Sequence, residues 1–188
     1  MVVWEYITGR KKHAWQETFE HSGGQIKPWP WADTWPVARL QVERLGVDLI
    51  VLEGESGEVL AFGPGHLPTS SDIGTAGHAV LAGHRDTSFR FLQNLKKGDV
   101  VMIQTMDGIK SRYLVSRLEV HDSKNLYLQQ RDVSFWSMIT CYPFYNLQYR
   151  TNLRFIVSTV ESHELFCLVS FVVRLLGSAL GYKSLTFQ

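Results

Sequence analysis

The chain has little excess charge of either sign. Nineteen Lys and Arg stand against 18 Asp and Glu in 188 residues, a formal net charge of +1. The basic residues are scattered rather than striped, so the electrostatic footprint of a nucleic-acid binder is missing and no nucleic-acid partner is expected. Cysteine is scarce too. Two residues, Cys141 and Cys167, are too few for a disulfide-built scaffold. Phosphate-binding glycine loops are absent: Gly63-Pro64-Gly65 lacks the Lys-Ser/Thr of a P-loop and the following helix of a dinucleotide site. The histidines are not paired at i, i+4 on a helix, and no cysteine pair has zinc-finger spacing, so neither metal nor cofactor is expected. Internal repeats and low-complexity tracts are also lacking. Long apolar runs are rare. Met1 to Ile7 is apolar but short, has no positive region before it, and does not read as a signal peptide. Leu165 to Tyr182 is apolar apart from Arg174 and is the candidate for membrane attachment, as a span or as a docked amphipathic helix.

What is present divides the chain in three. Residues 1–33 form an N-terminal extension. Ala14 to His21 is expected to be a short helix ended by Ser22-Gly23-Gly24. Lys27 to Pro36 holds three prolines and three tryptophans, an extended path whose apolar surface suits a belt against the domain or an anchor at a membrane surface. Residues 34–161 read as β. Val37 to Val42 and Val47 to Leu52 predict a hairpin, and Glu53 to Gly65 a loop with one helical turn. Further strands are expected at His78 to Ala82, Val100 to Thr105, Lys110 to Val120, Val133 to Cys141 and Leu153 to Val160. Asp107-Gly108 marks a second hairpin, and a helix is expected over Ser88 to Leu95, capped by Asp86-Thr87. So many short strands with few helices argue a mainly β barrel or sandwich rather than alternating β and α units. Residues 162–188 are an apolar tail.

Ser137-Met138-Ile139-Thr140-Cys141 ends an apolar strand on a thiol, and Tyr142-Pro143 stops the ladder because proline has no N–H to give. A free cysteine in such a place reads equally as a small buried hydrophobe or as a nucleophile at a strand lip. A nucleophilic thiol needs a proton partner and an oxyanion donor. Of seven histidines, His84 alone follows a strand and a glycine and precedes a polar turn, Arg85-Asp86-Thr87. His78 lies six positions earlier, and a bulge at Gly83 would break the parity that relates them, so parity does not choose between the two.

Three blocks then carry a family resemblance. Gly77 to Thr87 with Phe91 to Asp99 resembles the histidine block of the sortases. Ser137 to Cys141 resembles their Thr-Leu-x-Thr-Cys signature, with Ser137 and Met138 in place of Thr and Leu. Leu153-Arg154-Phe155-Ile156-Val157 resembles the strand bearing their arginine, and Cys141-Tyr142-Pro143-Phe144 looks most like the sortases of proteobacteria. The resemblance implies a closed, mainly β barrel of about seven to eight strands with short helices. It also implies a cysteine transpeptidase that cleaves a C-terminal sorting signal of Leu-Pro-x-Thr-Gly type and passes the acyl group to an amine acceptor, peptidoglycan or protein. The alternative is a cysteine peptidase that hydrolyses the signal. Carried over, Cys141 is the nucleophile, His84 the acid and base, and Arg154, rather than Arg150, the oxyanion or positioning group. Thr140 and Tyr142 are expected at the substrate. His78 is expected to be structural, Arg85 and Asp86 to shape and cap their turn, and Cys167 to be inert. The implied place of work is the cell envelope, at the outer face of the cytoplasmic membrane. Members of this kind normally carry an N-terminal anchor, and residues 165–182 are the stretch of this chain that could attach it instead.

Overall fold

The computed structural model describes residues 16–20, 27, 33–127, 134–145 and 151–162. The alternation in Pro36–Val42 (β1) decides how the first strand sits. Ala38, Leu40 and Val42 are fully buried, while Val37, Arg39 and Gln41 between them are partly exposed, the period-two pattern of a strand with one face on the core. A single turn of 3-10 helix, Glu43–Leu45, ends at Gly46, whose φ of 62° is a left-handed conformation that glycine adopts without steric cost. The chain returns antiparallel as Val47–Glu53 (β2), giving the expected hairpin.

Ser56 caps the short helix Gly57–Phe62 by accepting from the Val59 N–H. Then come Gly65–His66 (β3), Gly77–Ala82 (β4), Val100–Thr105 (β5), Lys110–Asp122 (β6), Ser134–Cys141 (β7) and Leu153–Glu161 (β8). These close into a barrel in the order β1-β2-β3-β4-β7-β8-β6-β5. The fold is the mainly β barrel that the sequence implied, with eight strands. The strand absent from the list of expected segments is β3. Two residues that follow Gly63-Pro64 are too short to show a period, and tertiary pairing with β2 and β4 makes them a strand. The helix expected over Ser88 to Leu95 is a correction: it is a five-residue 3-10 turn, Arg90–Asn94, without a side-chain cap. Phe89, Leu92 and Leu95 are nonetheless buried together, as their spacing suggested.

The core lies inside the barrel: Leu40, Val51, Leu81, Phe89, Leu92, Ile103, Tyr113, Trp136, Met138 and Val157 are all at most 1% exposed. At about 1.5–3 kcal/mol for each large side chain taken from water, this core is the main term holding the strand ends in place. Of the extension, residues 16–20 are helical, and Phe19 joins a smaller cluster with Ile50, Leu52 and Val59. Thr34 donates to the Glu53 carbonyl, and the Glu53 N–H donates to the Trp35 carbonyl, so the end of the belt runs onto β2. Trp29, Trp31, Arg150, Cys167 and the stretch 165–182 lie outside the described residues. Among the described residues, no helix is long and apolar enough to cross a membrane.

One topological feature positions the site. β4 and β7 are parallel, so their C-terminal ends lie at the same rim, and β8 runs antiparallel to β7, which brings its N-terminal end there too. Residues at Ala82, Cys141 and Leu153 therefore meet at one end of the barrel.

Candidate active site

Cys141 is the last residue of β7. Burial along the strand is nearly continuous through Thr140, which is 2% exposed, and Cys141 emerges half-buried. The strand ends where the Tyr142–Pro143 peptide, which is cis, begins. Before it leaves, the Tyr142 N–H donates to the Leu153 carbonyl across 3.0 Å, holding the exit of β7 against the entry of β8.

The register of β7 with β8 places Cys141 directly opposite Arg154. Opposed residues of an antiparallel pair present their side chains on one face, with Cβ atoms about 4.5–5.5 Å apart. The Arg154 guanidinium is anchored locally: Nη1 donates to the carbonyls of Thr151 at 2.8 Å and Leu153 at 3.0 Å. Guanidinium has five N–H donors, so these two bonds through Nη1 orient the group without exhausting it. On its other side Arg154 pairs with His121 of β6.

The parallel ladder of β4 on β7 ends at Ala82 opposite Ile139. Counted two residues further on, the same offset would set His84 against Cys141. Two bonds carry the alignment as far as Gly83. The Gly83 N–H donates to the Ile139 carbonyl at 3.2 Å, and the Thr140 hydroxyl donates to the Gly83 carbonyl at 2.7 Å. Gly83 itself has to be small: a Cβ there would lie 2.7 Å from ring atoms of Phe89, which is fully buried. His84 is exposed, and its carbonyl accepts from the Thr87 and Phe89 N–H groups, which sets the turn behind it. His84, Cys141 and Arg154 thus stand at the ends of three adjacent strands, β4, β7 and β8.

The other expected residues fall as follows. Thr140, expected at the substrate, is buried, and its hydroxyl is spent on Gly83. Tyr142 is half-buried and joins an aromatic cluster at the end of β7, whose members Phe144 and Phe155 pack against the barrel core. It stacks on Phe155 with centroids 6.2 Å apart and meets Phe144 edge-on at 6.3 Å, while Phe144 and Phe155 meet at 5.3 Å. His78 is committed further down the strand: its Nε2 lies 2.9 Å from the Ser137 hydroxyl, which continues to Ser158, and its ring stacks on Phe135 at 4.3 Å. That commitment separates it from His84, a choice that parity left open. Arg85 was expected only to shape its turn. Its Nη1 instead reaches the Pro143 carbonyl at 2.7 Å, 58 residues away. Nothing in the sequence marks that partner, because a charged residue in a turn is ordinarily solvated. Among the described residues, no group of three or more His, Cys, Asp or Glu is placed to hold a metal ion.

At the opposite end of the barrel a cavity of about 400 Å³ is lined by Trp35, Glu53, His66, Ile103, Asp107 and Tyr113, among others. His66 is buried there. Nδ1 faces the Glu53 carboxylate at 3.0 Å and Nε2 the Ser71 carbonyl at 2.9 Å. Burial opposes charge on the ring, but the Glu53 hydrogen bond, the Ser71 carbonyl and the Glu53 and Asp72 charges outweigh it and raise the His66 pKa. An acceptor at each nitrogen suits an imidazolium with two N–H donors.

Comparison with known proteins places the chain in a family. The family model described as the sortase domain matches residues 40–162. Sortase D of Bacillus subtilis (strain 168) is 30% identical over 106 residues, covering 56% of this chain and 54% of that protein, so the chain spans about half the length of the curated relative. Among solved structures, a Clostridium perfringens Sortase D5 transpeptidase superimposes with a TM-score of 0.66 at 20% identity, over 83% of this chain and 98% of that one. Sortase A from Corynebacterium diphtheriae gives 0.59 at 26% identity, over 70% and 62%. With its barrel closed in this order and the family's domain matched across the stretch from β1 to the end of β8, the chain belongs to the sortase family.

Proposed function

We propose that this chain is a cysteine transpeptidase acting on a C-terminal sorting signal of Leu-Pro-x-Thr-Gly type. The observation that supports the reading is the register: Cys141 opposite Arg154 across β7 and β8, with parallel β4 and β7 ending at the same rim, where His84 follows. In the first step the Cys141 thiolate adds to the carbonyl carbon of the Thr-Gly bond. The oxygen takes up the negative charge, and Arg154 donates to it. The C–N bond then breaks, His84 gives its proton to the departing amine, and the acyl group stays on Cys141 as a thioester. In the second step an acceptor amine loses a proton to His84 and adds to the thioester carbonyl, and the C–S bond breaks to restore the thiolate. Tyr142, carried over as a substrate contact, follows the thiol directly and is held by Phe144 and Phe155. The partners are then a protein bearing the signal and an amine acceptor, on peptidoglycan or another protein, at the outer face of the cytoplasmic membrane.

Incubation with Leu-Pro-x-Thr-Gly peptides, with and without an added amine and read by mass spectrometry, tests the reading. The expected result is an acyl adduct on Cys141 and a ligated product that needs the amine. Cleavage to the free acid alone, with no ligated product at any amine concentration, would establish a hydrolase instead. Absence of any adduct across such peptides would refute both.

A further inference from the structure

His84 and Cys141 are tied together on both sides. Before the pair, Gly83 is held by Ile139 and Thr140, as the ends of β4 and β7 still run side by side. After the pair the two segments part: β4 has given way to a turn, and β7 has ended at Tyr142–Pro143. There the Arg85 Nη1 spans to the Pro143 carbonyl at 2.7 Å. Arg85 directly follows His84, and Pro143 lies two residues after Cys141. The loop His84–Arg85···Pro143–Tyr142–Cys141 is thereby closed on the side that the strand ladder no longer reaches.

The geometry points to Arg85 as a positioning residue: its bond to Pro143 fixes the separation of the His84 imidazole from the Cys141 thiol. This rests on the transpeptidase reading for its consequence, but not for the bond. Three features set Arg85 apart from an ordinary turn residue. It is partly buried, whereas His84, Asp86 and Thr87 around it are exposed. Its bond has a charged donor, the stronger class of hydrogen bond. And Pro143, lacking an N–H, cannot be pinned through a donor of its own, so its carbonyl is the handle by which the chain after Tyr142 can be held. Arg85 touches neither reacting atom. It acts through the two segments that carry them, where a displacement of 1 Å costs on the order of 100-fold in rate.

The test compares wild type with Arg85→Ala and Arg85→Lys. Peptide cleavage should show kcat lowered by about 10- to 100-fold in Arg85→Ala with KM changed less than about 2-fold, since no contact with substrate is lost. Lysine can donate to the same carbonyl from a single point and should recover part of kcat. A second readout needs no substrate: the pH profile of Cys141 alkylation by iodoacetamide, which follows the thiol's coupling to its neighbours. It should differ between wild type and Arg85→Ala and move back in Arg85→Lys. If wild type fails to turn over peptide, the transpeptidase reading falls, and the alkylation profiles still judge Arg85. Identical profiles in wild type and Arg85→Ala would overturn the assignment. So would a loss of kcat in Arg85→Ala that lysine does not relieve at all. If Arg85→Ala does not fold, Arg85→Met and Arg85→Lys decide: a profile displaced in Arg85→Met, which keeps the apolar stem but has no donor, and moved back toward wild type in Arg85→Lys supports the bond, and identical profiles in wild type and Arg85→Met overturn it.

Discussion

Thr140→Val separates two roles for the residue that precedes the nucleophile. The substitution keeps the branched shape and removes one donor. In the structure that donor is committed to the Gly83 carbonyl at 2.7 Å, in a site where Thr140 is 2% exposed. A carbonyl buried without its partner costs about 1–3 kcal/mol. For a domain of this size each kcal/mol corresponds to about 2–4 °C in Tm, so a fall of about 2–12 °C is expected. Gly83 also carries His84, so kcat should drop as well, by about 10-fold or more if the histidine shifts by a fraction of an ångström. Thr140→Ser keeps the hydroxyl and should retain most of the activity. Thermal melting followed by circular dichroism gives the first number, and peptide-cleavage kinetics the second. A variant with Tm within about 1 °C of wild type and a raised KM would refute the reasoning and return Thr140 to the substrate, where its place beside Cys141 in the sequence suggested it.

Three further outcomes are expected. Arg154→Ala should lower kcat by about 100- to 1000-fold, the loss of an oxyanion donor, in the same cleavage assay. Near-normal turnover in Arg154→Ala, with loss in Arg150→Ala, would move the role to Arg150. Gly83→Ala should lose about 1–3 kcal/mol of stability, read in urea unfolding, because its Cβ would press on the buried Phe89 ring at 2.7 Å. His66 should make stability fall with rising pH. Its folded pKa is raised above the unfolded value of about 6.5, so its contribution is complete below that value and is lost as pH climbs through the higher folded one. Melting temperatures between about pH 5.5 and 9 should show the decline in wild type and a shallower one in His66→Gln; equal slopes would discount the Glu53–His66 pair.

The amino-acid sequence determined the local pieces. Runs rich in Val, Ile and Leu placed β1 and β2, alternation placed β6, and Asp107-Gly108 set the turn of the β5–β6 hairpin. It also placed a thiol, an imidazole and a guanidinium near strand ends, since proline after Cys141 and glycine before His84 interrupt their ladders. It could not show β3, two residues long, nor that the Phe89–Leu95 stretch would tighten into a 3-10 turn. Which of those pieces touch was settled by the closed barrel. Parallel β4 and β7 put the ends that lead to His84 and Cys141 at one rim, whereas His78 is committed to Ser137 further down the strand. Thr140 is spent on Gly83, and Arg85 crosses 58 residues of chain to Pro143. The physical reason is that period and turn chemistry act over a few residues. Register across a barrel is instead set by burying every inward face at once, and that sum is settled only when the sheet closes.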